Sequence, residues 1–361
     1  MKKLLLLVAS LVLVFGLAAC GGDEVDTYEI AMITDSGGID DESFNQGTWE
    51  GIVEFAEEND LTYKYYKPLE VSDDAYLDAI ELAVEGGAKV VVTPGFLFES
   101  SIYVAQTEYP DVYFILIDGE PHDAGWTTWE TTDNTQPILF NEHESGFLAG
   151  YAAVMDGYRN LGFTGGMAVP AVVKFGIGYI AGAYYAAQEN GYTLNFGDST
   201  YTYFGNFDES DTNKSVAASW YELGTEIIFS AAGGAGKSVM SAASDAEAMM
   251  IGVDIDQSGQ SDTVLTSALK NLGVAVQQAL QGYLDGDFEG GATIRKGVEN
   301  DGVSLPMDTS RFTTFTQAQY DAIYEDLVDG TVVVPVNWAE LVTFLGDDAS
   351  NFTEATVAPT S

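Results

Sequence analysis

Three aspartates at the ends of apolar, strand-like runs are the residues with the clearest chemistry in this sequence. Asp35 follows the run YEIAMIT, and Asp118 and Asp254 end the runs VYFILID and AMMIGVD. Open α/β sheets bind ligands at the carboxyl ends of their strands, so these carboxylates could meet in one cleft. A single aspartate there is more often a helix cap, and it is the recurrence that favours a binding site.

An aromatic residue lies in polar surroundings close to the first of these aspartates. In the stretch ITDSGGIDDESFNQGTWEGI, residues 33–52, the pattern changes from strand to helix, and Phe44 stands at the turn beside Ser43 and Asn45. Such a ring either packs beneath the following helix or presents its face to a flat ligand. The residues alone leave both interpretations open.

A glycine-rich segment offers a competing function. AAGGAGKS, residues 231–238, follows a strand-like run and loosely matches a phosphate-binding loop, with Lys237 and Ser238 in the expected order. Ala231 stands where the usual form has its first glycine. A glycine turn that lets the backbone approach a ligand is therefore favoured, and a nucleotide hydrolase built on this loop is the alternative.

The remaining polar motifs assemble neither a metal site nor a catalytic set. DIDQSG, residues 254–259, resembles half of a calcium loop, but Leu265 occupies the twelfth position, where a bidentate glutamate is required. His122 and His143 have no metal-ligand spacing, and we expect them at the surface or in loops. The sequence thus indicates no enzyme, no metal and no cofactor.

The N-terminus predicts export and a lipid anchor. A basic MKK and an apolar run lead to LAAC, which is typical of a lipoprotein signal peptide over residues 1–19. Cys20, the only cysteine, is then the lipidated N-terminus, and residues 20–27 form a short tether. We expect the protein on the extracytoplasmic face of the cell membrane.

The charge excludes several partners. The chain carries 56 acidic and 13 basic residues, for a formal net charge of −43. Such a surface repels nucleic acids, anionic headgroups and polyphosphates, so no nucleic-acid partner is expected.

Strand-like runs alternate with helical stretches twice along the chain, which predicts an α/β fold with two doubly wound parallel-sheet lobes. The pattern breaks around residues 123–137. We therefore expect a first lobe over residues 28–136, completed by about 257–310. The second lobe is expected over residues 137–256, completed by about 311–350.

Four segments together resemble the basic membrane protein family of lipoproteins, which includes purine nucleoside receptors of ABC importers. They are ITDSGGIDDESFNQGTWEGI, GFTGGMAVPAVVKFGIGYIAG, AAGGAG and IGVDIDQ with VLTSALKN, and the similarity runs from about Ile30 to Leu280. The resemblance implies a type I periplasmic-binding-protein fold, with two hinged lobes that close on a ligand.

The same resemblance implies a ligand site. Its residues would be Asp35, Phe44, Asn45, Asp118, Phe207, Gly234, Asp254 and Lys270. Phe44 and Phe207 would clamp the two faces of a purine, while the polar residues bind the base edge and ribose. The segments after Asp118 and Phe207 depart from the family pattern, so Phe204 or Phe175 are alternatives for the second clamp.

These observations predict a monomeric, lipid-anchored binding protein that captures a nucleoside and delivers it to an ABC transporter permease. Three alternatives stay open: a binding protein of the same fold for a sugar or other neutral solute, a sensor without a transporter, and the hydrolase.

We expect the mature protein to carry lipid on Cys20, because the signal peptide ends directly before this residue. Mass spectrometry of the N-terminus of membrane-bound protein checks this, and Cys20→Ser should release the protein or leave it unprocessed. An unmodified Cys20 in native membrane-bound protein would exclude the lipoprotein hypothesis.

Overall fold

The computed structural model describes residues 27–359, and the predicted signal peptide and Cys20 lie outside this range. Two six-stranded sheets form the cores of two lobes. The strands of the first sheet are, in spatial order, β11 (Ile294–Lys296), β5 (Thr135–Phe140), β4 (Tyr113–Ile117), β3 (Val90–Pro94), β1 (Ile30–Ile33) and β2 (Tyr63–Tyr66). The strands of the second sheet are β12 (Val303–Ser304), β10 (Val264–Lys270), β9 (Met249–Asp254), β8 (Ile227–Ala231), β6 (Leu161–Gly165) and β7 (Tyr201–Tyr203).

Every pairing in the first sheet is parallel, and in the second sheet only the β10–β12 pairing is antiparallel. The predicted fold class of two doubly wound α/β lobes is therefore confirmed. Parallel strands bury both faces, which explains why their sequences read as continuous apolar runs.

Helices cover both faces of each sheet. They are α1 (Phe44–Glu58), α2 (Asp73–Glu85), α3 (Glu99–Glu108), α4 (Glu142–Met155), α5 (Pro170–Asn190), α6 (Asp211–Glu222), α7 (Gly236–Asp245), α8 (Leu272–Asp285), α9 (Gln317–Val328), α10 (Trp338–Leu345) and α11 (Glu354–Val357). Side chains of β1 alternate between two cores: Ile30 and Met32 pack with the α1 and α8 layer, and Ala31 and Ile33 with the α2 and α3 layer. Within the described range, no helix combines the length and the apolar character that a membrane span requires.

The chain crosses between the lobes three times, after β5, β10 and β11, and these crossovers form the hinge. Their backbones are hydrogen-bonded to one another: Asn141 N donates to Lys296 O at 2.8 Å, and Asn271 N donates to Gly302 O at 2.9 Å. Three hydrogen-bonded crossover segments resist sliding of one lobe past the other but allow the lobes to rotate about a common hinge axis, as hinge closure requires.

Two lobe boundaries differ from the expectation. Residues 137–140 belong to β5 of the first sheet rather than to the second lobe. Residues 257–310 are expected to complete the first lobe, but β10 lies in the second sheet. Of that segment, α8 and β11 join the first lobe. The apolar run of β10 predicts a buried strand, but both sheets accept such a strand, so its place depends on tertiary pairing with β9.

Helix α4 begins at the hinge, and its axis lies very close to that of α5 in the second lobe. Gly146 and Gly150 of α4 face Gly178 and Gly182 of α5, and a Cβ at any of these positions would overlap the backbone of the opposite helix. The C-terminal helices continue this layer, with α9 against α4, α10 against α5 and α11 against β7.

Candidate functional site

A cleft lies between the lobes at the carboxyl ends of both sheets. It contains about 790 Å³ of atom-free space, its open mouth included. The structure brings all eight residues of the expected site into its lining: Asp35, Phe44, Asn45, Asp118, Phe207, Gly234, Asp254 and Lys270. Both lobes and the hinge contribute, as the strand-end rule requires.

The backbone at two of the strand-end aspartates is strained. Asp118 directly follows β4 with a φ of 60°, and Asp254 ends β9 with a φ of 66°. Left-handed backbone is uncommon for residues other than glycine, although aspartate tolerates it better than most. Strain of this kind concentrates at functional sites, and here it turns two carboxylates out of their strands into the cleft.

Lys270, the last residue of β10, is the electrostatic centre of the site. Its side chain is 1% exposed, contacts the Asp118 carboxylate directly and lies 3.6 Å from Glu142 Oε1. The ammonium also lies 4.7 Å from the centre of the Phe44 ring. Burial lowers the pKa of Lys270, but Asp118, Glu142 and Asp254 outweigh this effect and raise it, so the lysine is charged at neutral pH.

Asp118 holds an open hydrogen-bonding position. One carboxylate oxygen contacts Lys270, while Oδ1 is buried and has no hydrogen-bond partner among residues 27–359. Burial raises the pKa of Asp118, and the adjacent Lys270 ammonium opposes this shift. A buried acceptor without a partner is costly, so a ligand donor at this oxygen would recover binding energy.

Asp35, Asn45 and Asp41 form a second polar cluster on the first lobe. Asn45 Nδ2 donates to Asp35 Oδ1 and to Asp41 Oδ2, both at 2.9 Å, and Asn45 Oδ1 accepts from Asp35 N at 3.4 Å. These bonds use both N–H donors and one of the two acceptor positions of the buried amide. In this arrangement Asn45 orients two carboxylates. The resemblance implied a direct contact between Asn45 and the ligand, but both N–H donors of Asn45 are already bonded to these carboxylates.

Burial raises the pKa of Asp35 to about 6, although hydrogen bonds from Gly37 and Asn45 lower it. Asp254 is anchored differently, because Ser43 Oγ donates to its Oδ2 at 2.5 Å across the lobes. Burial also raises the pKa of Asp254, against the lowering effect of Lys270.

Aromatic rings from both lobes line the cleft. Phe44, the first residue of α1, and Phe207 of the second lobe are half-buried, whereas Phe175 is 2% exposed. Phe204 does not line the cleft and packs instead with the α6 and α7 layer. Of the two candidates for the second clamp that line the cleft, Phe207 therefore has the more accessible ring.

Sequence reasoning missed part of the lining. Phe96 follows β3, and the apolar residues 169–172 precede and open α5. Asp41 was likewise not singled out. The strand-end rule, extended to the third residue after Thr93 and the fourth residue after Gly165, would have reached Phe96 and Val169.

The glycine-rich segment contributes backbone rather than a cation. Gly233, with a φ of 52°, and Gly234 line the cleft. Lys237 does not line it, since its Nζ donates to Asp40 O at 3.0 Å, and Ser238 Oγ accepts from Ser210 N at 2.9 Å. Neither side chain is presented to the cleft as a phosphate-binding loop requires.

No group of residues suited to a metal ion occurs within residues 27–359. Both histidines are buried, at 3% exposure for His122 and 8% for His143, and the expectation of a surface or loop position is wrong for His143. His122 lies in a loop, 3.2 Å from Glu99 Oε2, and His143 lies in α4, where burial lowers its pKa to about 4. Neither lines the cleft.

The two hinged α/β lobes and the cleft between them define the type I periplasmic-binding-protein fold. Residues 28–337 match the family described as ABC transporter substrate-binding protein, PnrA-like, and the chain belongs to this family. It is thus a binding protein and not an enzyme, which removes the hydrolase alternative.

Relatives and solved structures agree with this assignment. The chain is 29% identical to the ABC transporter nucleoside-binding protein BmpA of Lactococcus lactis, over 93% of this chain and 99% of the relative. It is 29% identical to basic membrane protein A of Borreliella burgdorferi, over 96% and 99%. A solute-binding protein of an ABC transporter system from Aeropyrum pernix superposes with a TM-score of 0.69 at 23% identity, over 90% of this chain and 91% of that one.

The raised pKa of Asp35 predicts a pH-dependent stability. Because the native state holds this proton more tightly than the unfolded chain, with a pKa of about 6 against 3.8, stability falls as the pH rises between these values. We expect the free energy of unfolding of Asp35→Asn, relative to that of wild type, to increase by on the order of 1–2 kcal/mol from pH 4 to pH 7. Urea unfolding across this range checks it, and parallel curves for the two proteins would contradict it.

Proposed function

We propose that this substrate-binding protein captures a purine nucleoside in the interlobe cleft. The observation that carries the proposal is the pairing of two half-buried phenylalanines, Phe44 and Phe207, on opposite lobes with a buried polar group around Lys270. A nucleoside has the matching division, with a flat base and a hydroxyl-rich ribose. The similarity to the nucleoside-binding protein BmpA of Lactococcus lactis supports the same ligand class.

The base would lie between Phe44 and Phe207. Each base–aromatic stack contributes about 1–3 kcal/mol, and closing the lobes brings the second ring onto the ligand. The apolar residues 169–172 and Phe96 add surface for the remaining edges.

The polar residues would bind the ribose and the base edge. Asp118 Oδ1 is a free acceptor for a hydroxyl or amino group, and Lys270 supplies charged donors beside it. Asp254 and Asp35 add acceptors, while Gly234 lets the backbone approach the ligand. We assign Asn45 to the support of Asp35.

The charge of the cleft favours a neutral ligand. Asp35, Asp41, Asp118 and Asp254 line it, and Lys270 is the single basic residue among its described lining residues. Lys270 is already paired with Asp118. A phosphate group would therefore meet uncompensated carboxylates and lose its hydration.

We further propose that the protein acts as a monomer held by lipid on Cys20 at the extracytoplasmic face of the membrane, where it delivers the nucleoside to an ABC permease. The family and a relative named as a lipoprotein from Pyrococcus abyssi support this location. A sugar remains the alternative ligand, because hydroxyl groups suit the same carboxylates.

We expect a nucleoside such as adenosine, guanosine or inosine to bind, and its monophosphate and triphosphate to bind at least about tenfold more weakly, because each phosphate adds repulsion from the carboxylates. Calorimetry with each compound, with and without magnesium, checks this ranking. Sugars run in parallel separate the two ligand classes. Binding of sugars alone would overturn the proposal.

We expect Phe44→Ala and Phe207→Ala each to weaken nucleoside binding by about tenfold to a hundredfold, because each removes one stacking face. Phe204→Ala is the matched control outside the cleft and should leave the affinity of folded protein unchanged. Phe44→Leu keeps apolar bulk beside Lys270 but removes the ring, so it separates loss of the aromatic face from loss of packed volume. Unchanged affinity in folded Phe44→Ala would contradict the clamp.

A further inference from the structure

Side chains of the second lobe bind backbone carbonyls of one loop in the first lobe. Residues 36–43 lie in the connection between β1 and α1, and we call them the β1–α1 loop. Lys237 Nζ donates to Asp40 O at 3.0 Å, and Gln257 Nε2 donates to Glu42 O at 2.8 Å. None of these four residues lines the cleft, so the contacts join the two lobes outside the ligand space.

The β1–α1 loop is built so that its position affects the ligand site. Glu42 has a φ of 58°, and its N–H donates to Gln46 Oε1 at 3.1 Å. The adjacent Ser43 bonds to Asp254, and Asp41 bonds to Asn45. A movement of the loop away from the second lobe would therefore displace groups that set the geometry of the cleft.

The crossing donors differ in accessibility. Gln257 is 4% exposed, and its Oε1 accepts from Val253 N at 3.3 Å, so it is fixed within the second lobe. The Lys237 side chain is 28% exposed and lies 3.7 Å from Glu42 Oε1 as well as bonding to Asp40 O. A long, partly solvated lysine can release and recapture its own contact with Asp40 while the buried bond of Gln257 stays in place.

Lys237 also places a positive charge where the opposing loop is acidic. Asp40, Asp41 and Glu42 follow one another in the β1–α1 loop of a chain with a net charge of −43. Closing two negatively charged lobes is opposed by their repulsion, and a cation at the mouth reduces this cost.

We propose that Lys237 and the β1–α1 loop form an interlobe latch that holds the lobes closed and sets the rate of ligand release. Lys237 acts here as a positioning residue, because it contacts the loop and not the cleft. The release rate rests on the proposed nucleoside function, whereas capture of the loop by Lys237 does not. The latch also gives the lysine of AAGGAGKS a role other than phosphate binding.

Hydrogen–deuterium exchange of full-length protein in detergent, without nucleoside, tests the capture. Lys237→Met removes the donors and the charge but keeps most of the stem, and it should speed exchange in peptides covering residues 36–43 by about threefold or more. Lys237→Arg should stay close to wild type. Lys214→Met is the matched control, because Lys214 pairs with Asp245 at 2.6 Å within the second lobe.

Dissociation kinetics test the second half of the proposal, with whichever of adenosine, guanosine, inosine and uridine binds wild type most tightly. Lys237→Met should raise the dissociation rate by about threefold to tenfold and leave the association rate nearly unchanged. Faster exchange with an unchanged dissociation rate would overturn the control of release. Exchange in residues 36–43 that matches wild type would overturn the latch itself, and failure of every nucleoside to bind would instead reject the proposed function.

Discussion

The structure depends on one buried ammonium. Lys270 is almost completely removed from water, and a buried charge is tolerated only where other charges and hydrogen bonds compensate it. Its three carboxylate neighbours come from different parts of the chain: Asp118 from the first lobe, Asp254 from the second, and Glu142 from the hinge at the start of α4. While it is buried, the lysine stays charged only because all three segments meet around it, so in the closed form the electrostatics of the site and the arrangement of the lobes are the same constraint.

Glu142 extends that constraint into the body of the second lobe. Its carboxylate lies 3.6 Å from Lys270 Nζ and 3.5 Å from Lys174 Nζ of α5. The glycine-lined contact between α4 and α5 holds these two helices too close for independent movement. As a result, α4 moves with the second lobe, and the rotation that closes the cleft must occur in the short crossovers around residues 141, 271 and 297–302.

The residues that line the cleft could be grouped from the sequence, whereas the lobe boundaries could not, and the reasons are physical. Strand ends in a parallel sheet converge whatever the order of the strands, so aspartates at those ends could be grouped without knowing the topology. The strand Val264–Lys270 reads as buried in either sheet, and its partner is decided by packing that no local pattern contains. Side-chain roles fall between these cases. Asn45 was placed correctly in the cleft, but its bonds to Asp35 and Asp41 depend on rotamers that residue type does not determine.

Affinity and release draw on different groups in this molecule. The groups that would bind the ligand are fixed by buried bonds, such as those of Asn45 and Ser43, and by strained backbone at Asp118 and Asp254. Such groups are preorganised, so little free energy is lost in ordering them when a ligand enters. The contact of Lys237 with the β1–α1 loop is partly solvated, and partly solvated ion pairs contribute little to stability. A transport protein must bind its solute and then give it up. A rigid interior with a weakly held outer contact meets both demands, because opening first breaks the partly solvated contact of Lys237, and the buried interlobe bonds of Ser43 and Lys270 break only as the lobes separate.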